Sequence, residues 1–362
     1  MANTAPLRPA STFVAIAAKN EAGRIITCLR ALDRQSKRPD AVILLVNNTS
    51  DGTETVAQTL RPQLRYDLQI LSRHLPPSRR GAGHARRLAM SLAAERADCN
   101  DILLTTDADA VVPEDWIARN VAAIADGADA VCGRAVSDPR EAALIPEGVQ
   151  HDLALEERLR DLLDGLAWTL DPEPHDPPPR HMETSGASLA VTAGVFDRVG
   201  GIPALRSGED RAFATALRQH DARLRHDPSV AVSVSARFHG RAAGGMAETL
   251  RRRMMRRDVH ADRDLEPVAD ALRRYTLRRQ ARLAWLEGSV PAGLVRDLGI
   301  GHGMLTAALA LPFFGSAWTK LEAISPALQR HPVRFADLPA EIARANALLR
   351  QWSCPPVAMA AD

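Results

Sequence analysis

Asp101-Ile102-Leu103-Leu104-Thr105-Thr106-Asp107-Ala108-Asp109 is an apolar run that ends in an Asp-x-Asp pair. Its length and composition predict a buried strand over residues 101–106. Alternation along a strand puts Asp107 and Asp109 on the same face, and an α/β sheet binds ligands beyond the carboxyl ends of its strands. Two hard oxygen donors with open positions left for phosphate suit Mg2+ or Mn2+ better than a closed structural site does. Taken alone, the pair also reads as a solvated turn after a buried strand, so the flanking segments have to decide.

Upstream, residues 12–18 and 41–46 are apolar runs of strand length, and residues 68–71 supply a third. Asn20-Glu21 opens a helical pattern through Leu29 and Leu32. The polar cluster from Asn47 to Thr53 is a turn that can also cap a helix beginning near Thr53, and residues 81–97 read as another helix. Strands alternating with helices in this way imply βαβ units and a mostly parallel, doubly wound sheet.

Downstream the pattern loosens. Residues 116–125 have helical spacing, 128–133 are strand-like, and 153–170 form an amphipathic helix pattern. Residues 171–180 hold five prolines in ten positions, which excludes helix and central strand and leaves a long loop, either a binding segment or a surface insertion. Residues 189–195, 210–220 and 230–235 read as strand, helix and strand, and from Gly244 onward the chain reads as helical.

The chain of 362 residues is long enough for one large domain with an appendage, or for two. A net charge of +2 gives no argument for nucleic acid as a partner. The basic excess lies in the C-terminal third, in Arg251 to Arg257 and in Arg273, Arg274, Arg278 and Arg279. These fit an anionic membrane, an acidic acceptor, a partner subunit, or simply a solvated helix face. Cys28, Cys99, Cys132 and Cys354 stand far apart without C-x-x-C spacing, and no secretory signal precedes the first strand pattern. The expectation is a cytosolic protein with free thiols, with peripheral contact at the inner face of a membrane left open. The most apolar stretch, 299–318, is interrupted by glycines, His302 and Pro312, so it reads as a buried helix or a peripheral membrane contact before it reads as a span.

The order of motifs is more specific than any one of them. Phe13 to Glu21, then Asn47 to Thr53, then Asp107-Ala108-Asp109, then Gly208-Glu209-Asp210 resembles glycosyltransferase family 2, over about residues 12–240. The resemblance implies an α/β fold of GT-A type: a Rossmann-like, mostly parallel sheet with flanking helices, followed here by a C-terminal helical region. It divides the chain into a loose lead-in (1–11), a nucleotide-sugar half (12–135), an acceptor-side half (136–243) and a basic helical region (244–362). Two departures stand out. Ala17 occupies a position where the family commonly has proline, and Asn47-Asn48 replace the carboxylate that meets the nucleotide base. An amide both donates and accepts whereas a carboxylate only accepts, so the base of the donor, uracil or guanine, stays open. A structural Asx-turn is the competing reading of these asparagines.

The same resemblance suggests site residues. Ala18, Asn20, Glu21, Asn48 and Asp51 would line the nucleotide. Gly81-Ala82-Gly83-His84-Ala85-Arg86-Arg87 looks like the family's helix start at which a cation approaches the donor diphosphate. Gly81 would permit close backbone approach there, with Arg86 favouring the anion. Asp107 would touch the donor, and Asp107 and Asp109 would coordinate a divalent metal, Mn2+ or Mg2+, with His239 as a candidate third ligand. Arg237 and Arg241 would clamp the diphosphate. Asp210, beside Glu209, would be the base that an inverting transfer needs. For each group a structural role competes: caps for Glu209 and Asp210, solvated arginines for Arg86 and Arg87.

The expected activity is metal-dependent transfer of a sugar from a UDP- or GDP-linked donor to an acceptor hydroxyl on a saccharide, a lipid-linked molecule or a small molecule. A nucleotidyltransferase is the second reading, disfavoured because Ala17-Ala18-Lys19-Asn20-Glu21 is not a Gly-rich basic loop. The third is a catalytically degenerate fold that binds carbohydrate or acts as a scaffold. Asn47-Asn48 favours it, and the four carboxylates oppose it. Neither the acceptor nor the oligomeric state is legible, because variable loops build acceptor pockets.

Overall fold

The computed structural model describes residues 9–236, 246–255 and 258–353. The strands are β1 (Thr12–Ala18), β2 (Ala41–Asn47), β3 (Asp67–Arg73), β4 (Ile102–Asp107), β5 (Ala130–Ser137), β6 (Leu189–Thr192) and β7 (Leu224–Val234). The first helices are α1 (Ile25–Asp33), α2 (Thr53–Leu60), α3 (Ala82–Ala94), α4 (Trp116–Ala125), α5 (Pro139–Ala142), α6 (Glu147–Leu170), α7 (Ala193–Arg198) and α8 (Glu209–Gln219). They are followed by α9 (Met246–Met254), α10 (Val268–Glu287), α11 (Ala292–Leu298), α12 (His302–Leu309), α13 (Phe314–Ile324) and α14 (Leu338–Ser353). The chain divides into two units: one of Met1–Leu144, Pro178–Arg218 and Ala222–Thr249, the other of Ile145–Pro177, Gln219–Asp221 and Leu250–Asp362.

All seven strands lie in the first unit and form one sheet in the order β3-β2-β1-β4-β6-β5-β7. β1 to β4 are parallel, β6 runs antiparallel to both β4 and β5, and β5 is parallel to β7. β1 and β2 are buried on both faces, which is why they read as unbroken apolar runs rather than as alternating ones. One face places Val14, Ile16, Val42 and Leu44 with Leu29, Leu32 and Trp116; the other places Phe13, Ala15, Ile43 and Leu45 with Ala89, Met90 and Phe213. Each fully buried Leu or Ile contributes about 2 kcal/mol.

With both faces apolar, alternation cannot by itself fix the register of β1. Carboxylates at the strand starts supply the missing information. Asp40 Oδ2 accepts from Thr12 N at 2.7 Å, and Asp101 Oδ1 accepts from Ser11 N at 2.8 Å. Ala17 then stands opposite Asp107, and Ala18 opposite Val46. The chain leaves β1 for β2 and β3 on one side and returns with β4 on the other, so the carboxyl ends of β1 and β4 flank the point where strand order reverses, the usual ligand crevice of such sheets.

The architecture is the one that the resemblance implies, and among the local differences from the sequence pattern three have a clear physical cause. α1 begins at Ile25 rather than at Asn20-Glu21, because Asn20 is left-handed at φ 55° and the Glu21 carbonyl accepts from both Arg24 N and Ile25 N, closing a turn first. β6 stops at Thr192 and the chain turns into α7, where Ala193 N donates to Asp101 O and Gly194 N to Cys99 O. β7 starts at Leu224, because Leu224 to His226 pair with β5 before the ladder shifts register across Asp227-Pro228-Ser229; the proline hid this part of the strand.

The second unit has its own cores. Leu159, Leu162 and Leu166 of α6 cluster with Val268, Ala271 and Ala345, and Leu277, Ala281 and Ala284 of α10 cluster with Leu294, Leu305, Phe314 and Trp318. Several cations of the basic region are interior to this unit. Arg274 is buried and pairs with Glu266 at 2.8 Å and Glu322 at 2.9 Å, and Arg253 pairs with Glu156 at 2.6 Å. Arg278 and Arg282 hold Asp171, at 2.6 and 3.0 Å, so the proline-rich loop is tied to α10 where it begins. Arg251, Arg252 and Arg273 face solvent, whereas Arg256 and Arg257 lie outside the described residues. The apolar stretch 299–318 is broken into α12 and the start of α13, and no helix among the described residues is long and apolar enough to cross a membrane.

Candidate active site

The loop after β1 and the loop after β2 are stitched together. Asn20 Oδ1 accepts from Ser50 N at 2.8 Å, and Glu21 N donates to Thr53 Oγ1 at 2.8 Å. Asp51 accepts from Ala22 N at 3.1 Å and from Thr53 N at 3.0 Å, an Asx-turn that starts α2. Ala18 and Glu21 are buried beside this seam. Asn48, left-handed at φ 47°, spends both ends of its amide on one residue: Nδ2 donates to Leu75 O at 2.9 Å, and Oδ1 accepts from Leu75 N at 3.2 Å. The rim of the crevice beyond β3 is thus held by Asn48, and Arg80 Nε reaches the same Leu75 carbonyl at 3.2 Å.

Arg86 lies inside this unit and not on its surface. Its guanidinium pairs with Glu209 Oε1 through Nη1 and with Asp107 Oδ1 through Nη2. Two glycines make room for the group. A Cβ on Gly186 would stand 2.2 Å from Arg86 Cζ, and a Cβ on Gly83 would stand 2.7 Å from Glu209 Oε2. Burial works against the Arg86 charge, but Asp107, then Glu209 and Asp210, outweigh it and raise its pKa above the ordinary arginine value. Burial also pushes the Glu209 carboxyl up, against the pull of Arg86, and Asp210 adds to the rise. Asp210, in the first turn of α8, is half-exposed; its Oδ2 accepts from Gly186 N at 3.1 Å. Gly81 meets protein, since a Cβ there would lie 2.5 Å from Arg206 O. The neighbouring Arg87 donates to Ile202 O.

Asp107 and Asp109 flank a tight turn at the end of β4, in which Ala110 N donates to Asp107 O at 3.0 Å; both carboxylates are half-exposed. Beneath them the Cys28 thiol donates to the same Asp107 carbonyl at 3.4 Å. The negative charges of Asp109, Asp107 and Glu21 all act on that thiol, so the three acids share one neighbourhood. Among the described residues no three His, Cys, Asp or Glu side chains group into a metal cage. Two carboxylates that need phosphate oxygens and water to complete a shell fit Mg2+ or Mn2+, which keep open positions.

Arg237, His239 and Arg241 lie outside the described residues. The chain leading into that segment is anchored by Glu141, a residue without a motif. Its Oε2 accepts from Ser235 Oγ and Ala236 N, each at 2.7 Å, while Oε1 pairs with Arg24 at 2.7 Å. The Ser235 hydroxyl, more than the opposing burial or the Arg24 charge, helps hold the Glu141 carboxyl below its usual range. Glu141 was invisible in the sequence because its partners come from β1's loop and β7's end. Gly186 left a faint signal, a lone glycine in the small-residue run Ser185-Gly186-Ala187-Ser188 that precedes β6.

Part of the chain has a counterpart in a known family. Residues 13–170 match the model of a family described as glycosyl transferase family 2. No curated protein matches the chain. Similar solved structures include S. aureus TarS 1-349 in complex with UDP-GlcNAc, 15% identical over 95% of this chain and 91% of that one, with a TM-score of 0.47. Another is the mannosyltransferase PcManGT from Pyrobaculum calidifontis in complex with GDP-Man and Mn2+, 20% identical over 97% and 86%, with a TM-score of 0.43. A third is glucosyl-3-phosphoglycerate synthase from Mycobacterium tuberculosis with Mn2+, UDP and phosphoglyceric acid, 19% identical over 69% and 78%, with a TM-score of 0.42. The match to glycosyl transferase family 2 thus spans β1 through α6, residues 13–170.

Proposed function

We propose that the chain transfers a sugar from a nucleoside-diphosphate sugar, UDP- or GDP-linked, to an acceptor hydroxyl, with a divalent metal and with inversion at the anomeric carbon. The observation that carries this reading is the meeting of two acidic motifs on Arg86: Asp107 from the end of β4 and Glu209 from the start of α8. The first motif stands at the crevice where a donor would bind, and the second sets Asp210 beside it in sequence.

Asp107 and Asp109 would hold Mn2+ or Mg2+, which supplies positive charge against the diphosphate as it leaves. The rest is the work of side chains. The seam of Asn20, Glu21 and Asp51 forms the floor under the nucleoside. Asp210 Oδ2, aimed by the Gly186 N–H, takes the proton of the acceptor hydroxyl while that oxygen bonds to the anomeric carbon and the bond to the diphosphate breaks. Arg237 and Arg241 are proposed phosphate contacts and His239 a third metal ligand.

A second reading, a degenerate fold that binds carbohydrate without turning it over, is favoured by one observation, the commitment of the Asn48 amide to Leu75. Calorimetric titration of UDP and of GDP, with and without Mn2+, separates the two. Binding of one nucleotide that needs both metal and Asp109, tested in Asp109→Ala, supports the transferase. No binding of either nucleotide under any condition leaves the second reading.

A further inference from the structure

Arg86 occupies the position at which the family resemblance expects a cation beside the donor diphosphate, yet its guanidinium is enclosed. It is 9% exposed, both of its terminal nitrogens are engaged by carboxylates, and the backbone of Gly186 lies so close that a Cβ there would displace the guanidinium. We propose that Arg86 is a positioning residue: its guanidinium, covered by the Gly186 backbone, sets Asp107 and Glu209 in fixed relation to each other and touches no substrate. This inference rests on the transferase reading of the same site.

The geometry explains why the clasp takes arginine. The planar fork gives one nitrogen to each carboxylate, and an ammonium point charge cannot span both in fixed directions. Charged groups reach the cation from each element that faces it: Asp107 from β4, and Glu209 and Asp210 from α8. A further wall is the Gly186 backbone in the segment before β6, which also donates to Asp210 through Gly186 N. A shift of Gly186 therefore moves two things together, the lid over Arg86 and the direction of Asp210. Glu209 is 3% exposed, which leaves it little room to reach a ligand and fits a group whose task is to hold Arg86.

The test uses full-length Arg86→Lys, Gly186→Ala, Arg86→Met, Glu209→Gln and the Arg86→Met/Glu209→Gln double variant. Thermal melts come first and need no ligand. Either member of the buried pair, removed alone, leaves a charge buried without its partner, so the double variant should melt above Arg86→Met. Strictly additive losses would mean that the pair does not form, and would overturn the proposal even for a chain that binds no nucleotide. Affinities for UDP, UMP, GDP and GMP with Mn2+ come second, beside the rate of donor hydrolysis. Positioning predicts that Arg86→Lys and Gly186→Ala bind the diphosphate within about threefold of wild type but lose about 100-fold in turnover, the scale on which ångström-level misplacement acts. A diphosphate contact predicts the opposite split: UDP or GDP affinity falls tenfold or more, the monophosphate is unaffected, and the proposal fails. If wild type binds no nucleotide at all, the transferase reading falls while the melts still decide the clasp.

Discussion

Cys28 donates its thiol hydrogen to the Asp107 carbonyl at 3.4 Å, so the floor under the Asp-x-Asp turn is a buried sulfur rather than a hydrocarbon. Burial first, then the charges of Asp109, Asp107 and Glu21, push this thiol far above the ordinary range and keep it protonated. Thiolate is the reactive form, so Cys28 should be inert in the folded chain. Iodoacetamide at mildly alkaline pH is expected to modify exposed Cys99 and to spare Cys28 and Cys132, which are buried, until denaturant is added. Peptide mass mapping reads the result. Labelling of Cys28 at the rate of Cys99 would contradict its placement beneath Asp107.

Asn48→Asp tests whether the amide is structural. An aspartate would restore the residue type that the family resemblance expects for base contact, but it cannot donate to Leu75 O. The loss of that bond, with the carboxylate now facing a carbonyl, should cost about 1–3 kcal/mol, read as a lower denaturant midpoint. If Asn48→Asp is as stable as wild type, the Asn48–Leu75 clamp contributes nothing.

Glu141 gives a pH dependence with a definite sign. Its folded pKa lies below its unfolded value, so its stabilisation is present above the unfolded value and is lost as pH falls through the lowered folded one. Wild type should lose more stability than Glu141→Gln between neutral and strongly acidic pH, with the two curves converging at the acid end. At neutral pH the variant should be less stable by about 1–2 kcal/mol, for hydrogen bonds to a charged group. Parallel curves in a series of urea melts would show that Glu141 is not held as described.

Asp101 is 2% exposed and accepts from Ser11 N at 2.8 Å and Asp98 N at 2.9 Å. Asp101→Ala leaves those donors without the carboxylate and removes one pin on the register of β1, so a loss of about 2–3 kcal/mol is expected. Nucleotide affinity of the folded fraction should be nearly unchanged, because the pin lies at the opposite end of the strand from Asp107. A selective loss of affinity without loss of stability, measured by calorimetry beside a melt, would place Asp101 in the site instead.

The sheet was legible where periodicity alone suffices. β1, β2 and β4 are continuous apolar runs because both of their faces are covered, and α4 was bounded correctly at Trp116 and Ala125. Irregular strands were harder, since a proline within β7 and a helix begun directly from β6 break the patterns that mark strand ends. In the site, short motifs located Asp107, Asp109, Glu209 and Asp210, but a motif says nothing about which of its residues face inward. Arg86 read as a cation beside the donor diphosphate, with a solvated arginine as the competing role, because helix spacing cannot reveal that two distant carboxylates converge on it. Glu141 and Gly186 owe their importance to contacts with segments far along the chain, which no local pattern records.

β6 runs against its neighbours, and its first residue, Leu189, lies opposite Thr105 of β4 and Cys132 of β5. Had it run parallel, the chain before it would arrive at the far edge of the sheet. Reversed, it delivers Thr184 to Ser188 to the same edge at which β4 ends, without any crossover of its own. Two stretches of chain far apart in sequence thus share one edge of the sheet. An insertion or deletion at Gly186 would therefore disturb both halves of the sheet at once, because that one glycine abuts Arg86 and donates to Asp210.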